Sequence, residues 1–210
     1  MTQVTPSSGR AADASGEDGP VAASGQQGRR VALFDFDGTL VDSDQALAAP
    51  FRALGLADDE HPPLGLPLVE ACRRAGVTIE AYLAHYDPTV APPFEGVPEL
   101  LDHLERWGLA SNKQRSSGLA ELARLGWHPT VALFSDDFGG REKELGPLLA
   151  ALALEPHEAV YVGDTQHDRS CAAAAGVPFA LAGWNRRARR AAQPGDLVLD
   201  HPKQVLDLLA

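Results

Sequence analysis

Lysine is scarce in this 210-residue chain, which has only Lys113, Lys143 and Lys203. Cysteine is scarcer: Cys72 and Cys171 lie far apart and form no CxxC pattern. That excludes a disulfide framework and a cysteine zinc site, and it fits a reducing cytoplasm. Both cysteines read as small apolar core residues. No apolar run is long enough to span a bilayer. The N-terminus lacks a basic stretch followed by an apolar one, so no secretion signal is expected. Positive charge is in the minority, with 18 Lys and Arg against 29 Asp and Glu and a net charge of −11. An acidic surface repels nucleic acid and anionic membranes, so neither is an expected partner. A small phosphate ligand is not excluded, because a local site can be positive on an acidic protein. No obligate protein partner and no internal repeat is evident.

What the chain does have is 44% hydrophobic residues, enough for one compact domain with a small insertion. Residues 1–28 are mostly Gly, Ser, Ala, Gln and Asp, and such a stretch cannot offset its ordering entropy; a disordered tail is expected there. Short apolar runs then recur: Val31–Phe34, Gly108–Ala110, Val131–Phe134, Ala159–Val162, Phe179–Ala182 and Leu197–Leu199. They read as buried strands. Helical patterns lie between most of them, over Val97–Trp107, around Leu119, Leu122 and Leu125, around Leu145 to Leu152, and over Gln166–Ala175 with Gly176 as C-cap. Alternating strands and helices predict an α/β fold, a mostly parallel sheet covered on both faces. Residues 45–94 break the alternation with helical stretches and no buried strand, which predicts a helical cap over a core of residues 29–44 and 95–210.

Four motifs fall where strands end, the edge at which such sheets bind ligands. In Asp35-Phe36-Asp37-Gly38-Thr39, side chains alternate, so Asp35 and Asp37 share a side. Two close carboxylates repel, and a divalent cation relieves the repulsion. Gly38 and Thr39 are expected to offer backbone N–H groups to an anion. Gly163-Asp164-Thr165-Gln166-His167-Asp168 places Asp164 at the same edge, with Asp168 one helical turn on. Asp164 alone could simply cap that helix, but a second acid favours a metal site. Ser111-Asn112 ends the Gly108 strand and can bond phosphate oxygens, although Ser-Asn is also a common turn. Lys143 precedes a helix and can bring a compact ammonium to this edge, or can equally be a solvated helix-start lysine. The run Arg186–Arg190 reads as a solvated helix face from which one arginine could border the site. Arg52, Arg73, Arg74, His85 and Tyr86 fall in the cap, where any could touch substrate but each reads better as a structural or surface residue.

Together, DFDGTLVDSD, LASNK, Lys143 and VGDTQHDRSCAAAAGV resemble the four motifs of the haloacid dehalogenase-like superfamily. LGLPL, PFEGV and Phe138-Gly-Gly are similar to its phosphoglycolate phosphatase-like branch. The resemblance implies a Rossmann-like core with a small helical cap inserted after the first strand. It implies that Asp35 is a nucleophile forming an aspartyl-phosphate and that Asp37 is the general acid and then the base. It implies Ser111 and Lys143 on the phosphoryl oxygens. It also implies magnesium on Asp35, the Asp37 carbonyl and Asp164, with Asp168 in support. The expected activity is hydrolysis of a small phosphate monoester, such as a phosphoglycolate-like acid or a sugar phosphate. The alternatives are a sugar-phosphate mutase using the same intermediate, and a non-catalytic phospho-ligand-binding protein on this fold.

Overall fold

The computed structural model describes residues 1, 29–57, 66–87, 89–139 and 141–210. The tail expected over residues 1–28 lies, apart from Met1, outside the described residues before residue 29. Six strands form one sheet: β1 (Val31–Phe34), β2 (Trp107–Ala110), β3 (Val131–Leu133), β4 (Ala159–Gly163), β5 (Phe179–Ala182) and β6 (Val198–Leu199). Their order is β3-β2-β1-β4-β5-β6, and every neighbouring pair is parallel. The strand order therefore reverses beside β1, between β1 and β4, which opens a crevice at their C-terminal ends.

All four residues of β1 are buried because both faces of this central strand are covered. Ala32 and Phe34 belong to the core on one face, with Leu100, Trp107 and Leu122. Val31 and Leu33 belong to the other, with Leu145, Leu148, Leu152 and Tyr161. At Gly108 a Cβ would approach Leu33 and Leu152 to 2.8 Å, so only glycine lets those leucines close over β2.

Helices α1 (Asp44–Ala53), α2 (Leu68–Ala75) and α3 (Ile79–Leu83) follow β1. They form the small helical cap and share a separate apolar cluster of Phe51, Ala71, Cys72 and Tyr82. The two connections to the core run side by side: Asp42 donates its N–H to Pro92 O at 2.8 Å, and Phe94 to Leu40 O at 3.0 Å. The core helices are α4 (Val97–Asp102), α5 (Arg115–Leu125), α6 (Gly146–Leu152), α7 (Gln166–Ala175) and α8 (Arg186–Arg190). Gly176 caps α7 in the left-handed region, as expected. The helical pattern read over Val97–Trp107 is cut short, because Trp107 pairs with Ala32 in the sheet and packs edge-on against Phe34. Sheet pairing outweighs local helical periodicity there.

Candidate active site

Asp35 leaves β1 at the crevice, and Asp164 leaves β4 beside it. The chain turns at once after Asp35. Gly38 sits at φ 78°, and a Cβ there would collide with the Asp164 carboxylate. This turn overturns one expectation. The Gly38 N–H donates to Val41 O at 2.9 Å and the Thr39 N–H to Phe36 O at 3.3 Å, so both groups close the turn itself rather than meet an anion. Thr39 instead orients Asp164, donating its hydroxyl to Oδ1 at 3.1 Å. Trp184 and Asn185, just after β5, tie the turn down by donating to Thr39 O and Gly38 O at 2.9 and 2.8 Å.

Lys143 reaches the centre of the crevice. Its Nζ lies 2.5 Å from Asp35 Oδ1 and 2.6 Å from Asp168 Oδ1. The lysine is thus a buried counter-ion, not a solvated helix-start residue. Burial alone would drive the ammonium toward its neutral form, but Asp168 and Asp35 outweigh that and hold its pKa well above the usual lysine range. Asp168 does two things at once. Its Oδ2 accepts from the N–H of Thr165 at 2.9 Å in a capping box that starts α7, and its Oδ1 accepts from Tyr161 Oη at 3.0 Å. Burial works against ionising Asp168, but Lys143 and Thr165 outweigh it and hold the carboxyl below its ordinary value.

Asp35, Asp164 and Asp168 each offer a carboxylate oxygen within 4.8 Å of the others, all buried. Burial pushes the Asp35 carboxyl well up; Lys143 pulls it down, and Asp168 and Asp164 push it up further. Burial and then Asp168 raise Asp164 to about 7. Three oxygen donors that are costly to ionise together suit a hard divalent cation, whose charge would restore the anionic forms. Asp37 is not in this cluster. Its Oδ1 lies 3.1 Å from Lys113 Nζ, close enough to pair but without hydrogen-bond alignment.

Ser111 and Asn112 sit at the end of β2. Both line the chamber over Asp35 and Asp37, together with Lys113 and Lys143. Ser111 Oγ accepts from the Lys113 N–H at 3.2 Å. Asn112 Oδ1 accepts from the Lys143 N–H at 2.8 Å, so Asn112 fixes the lysine's backbone.

Lys113 escaped the sequence reading, which also left open which arginine of the basic run borders the site. Lys113 is buried between Asp37, Glu121 at 2.7 Å and the hydroxyl of Tyr86, a cap residue, at 2.6 Å. Its signal was present in the scarcity of lysine and in its place directly after Ser111-Asn112. Arg187, from the basic run, pairs with Asp164 and with Asp44 at the start of α1, the latter at 2.9 Å. It is the one arginine of that run that borders the site.

A family model for haloacid dehalogenase-like hydrolases matches residues 32–182. The chain belongs to this family. It is 31% identical over 188 residues to the phosphoglycolate phosphatase of Xylella fastidiosa strain 9a5c, covering 75% of this chain and 82% of that protein. It is 27% identical over 219 residues to the N-acetylmuramic acid 6-phosphate phosphatase of Pseudomonas aeruginosa, covering 86% of this chain and 94% of that protein. A haloacid dehalogenase-like family hydrolase from Streptococcus pneumoniae superposes with a TM-score of 0.66 at 20% identity, covering 88% of this chain and 99% of that one, which shows the shared fold. Members of this family that act as phosphatases generally use a divalent metal, and the buried aspartate cluster can bind one.

Proposed function

We propose that this chain hydrolyses small phosphate monoesters in the cytoplasm, with magnesium, through an aspartyl-phosphate on Asp35. That it is a phosphatase rests on its family and its relatives; the metal's identity, the intermediate, the residue roles and the substrate are the proposal. One observation carries it. Asp35 stands at the strand-order reversal, held by Lys143 and faced by Asp164, beside a chamber walled by the cap.

In the first step Asp35 attacks phosphorus, its oxygen–phosphorus bond forming as the ester bond breaks, and Asp37 gives a proton to the departing alkoxide. In the second step Asp37 takes a proton from water, whose oxygen attacks the aspartyl-phosphate and releases phosphate from Asp35. Ser111 and Lys143 hold the phosphoryl oxygens. Asn112 and Asp168 set Lys143 in place, while Gly38 and Thr39 shape the turn that presents Asp35 and Asp37. Asp35, Asp164 and the Asp37 carbonyl are the proposed magnesium ligands, with Asp168 in support. When bound, the ion would neutralise charge between nucleophile and phosphate. We place the cap at residues 45–94. Release of inorganic phosphate from p-nitrophenyl phosphate, with magnesium and with excess chelator, tests this reading. Equal rates in the two would refute the metal, and no release in either would refute the activity.

A further inference from the structure

The chamber over Asp35 has a floor from the core and a wall from the cap. Every described cap residue on that wall is apolar or a tyrosine, among them Leu47, Phe51, Leu68, Tyr82, Leu83 and Tyr86. No arginine or histidine lines the chamber among the described residues. Arg73 and Arg74 turn away and pair with Glu70, and Arg52 donates to Gln45.

The floor has two ammonium groups, both already matched. Lys143 faces Asp35 and Asp168. Lys113 faces Glu121 and Asp37, with Tyr86 Oη as a third partner. Each lysine therefore already meets two carboxyl groups. The chamber is also small, at about 80 Å³, room for only a handful of water-sized groups.

We propose that the leaving group of the substrate is a small uncharged alcohol or phenol with an apolar face, and not a carboxylate-bearing one such as glycolate. This rests on the phosphatase reading of the same site. A leaving-group carboxylate would lose its water against Leu47, Phe51 and Leu83 and would find no unmatched cation among the described residues. An alkyl or aryl group would bury apolar surface there, and Ser117 and Gln114 on the core side of the chamber can serve a single hydroxyl. The relatives' named substrates differ widely in the size of the leaving group, so family membership leaves its identity open.

The test uses the full chain with magnesium and compares kcat/KM for propyl phosphate, phenyl phosphate, phosphoglycolate and the neutral amide phosphoglycolamide. The neutral esters should exceed phosphoglycolate by roughly tenfold or more, the scale set by leaving a buried polar group unsatisfied. Phosphoglycolate matching or surpassing its own amide would overturn the inference while leaving the phosphatase reading intact. No phosphate release from any ester, p-nitrophenyl phosphate included, would overturn both. Leu83→Lys adds the missing cation at a partly exposed wall position. It should raise the ratio of phosphoglycolate to propyl phosphate turnover several-fold, and an unchanged ratio in the folded variant would also count against the inference.

Discussion

Arg187 pairs with Asp164 across the gap between the first turn of α8 and the end of β4, on the same carboxylate that Thr39 orients. A guanidinium so placed repels a second cation and competes with it for Asp164. Arg187→Met should therefore tighten magnesium binding by about three- to tenfold, roughly 0.7–1.4 kcal/mol. Calorimetric titration of magnesium into the two proteins measures this directly. Weaker binding in the variant would show that Arg187 organises the site instead of competing within it.

Asp35→Asn should reduce turnover to background while the melting temperature stays within a few degrees, because an amide cannot serve as the nucleophile. The motive is the position of Asp35 at the end of β1 against Lys143. Activity within a few-fold of wild type would remove the covalent intermediate from the mechanism.

Asp37→Asn should lower kcat by about 10²–10⁴-fold, the usual scale of general acid–base help. The loss should be larger for alkyl esters than for p-nitrophenyl phosphate, whose leaving group needs no proton. Equal losses on both would assign Asp37 a role other than proton transfer.

Lys143→Met removes the ammonium that lies between Asp35 and Asp168, both buried. Leaving such charges unpaired costs about 3–5 kcal/mol. For a domain of this size that corresponds to a fall in Tm of roughly 6–20 °C. A thermal melt of the metal-free variant within a degree or two of wild type would mean the pair contributes nothing to the fold.

The raised carboxyl of Asp164, at about 7, sets a pH dependence for the metal-free protein. The folded state binds this proton more tightly than the unfolded chain, whose carboxyl has an ordinary pKa near 4. Stability from this group is thus present in acid and lost as pH rises from about 4 to about 7. In chelator, the melting temperature of Asp164→Asn should gain on wild type across that window, and magnesium should close the gap at pH 7.5. A gap that narrows with rising pH would reverse the assignment.

The sequence alone determined the strands, the parallel α/β class, the helix α7 with its glycine cap, and the arrival of Asp35, Asp37 and Asp164 at one sheet edge, while it left Ser111 and Lys143 open between a site role and a turn or a solvated helix start. Each of these is written in local order: an apolar run buried on both faces, an acid directly after it, a glycine where the chain must turn left-handed. Tertiary structure decided the partners. Helix α4 stopped at Asp102 because Trp107 was needed opposite Ala32, a contact no local pattern announces. The N–H groups of Gly38 and Thr39 closed their own turn instead of facing a ligand. Lys113 found Tyr86 from the cap, and Arg187 found Asp164 from a neighbouring strand end. A charged side chain shows its sign in the sequence, but its partner is whichever opposite charge the fold brings within a few ångströms of it, and that distance exists only once the sheet and the cap are assembled.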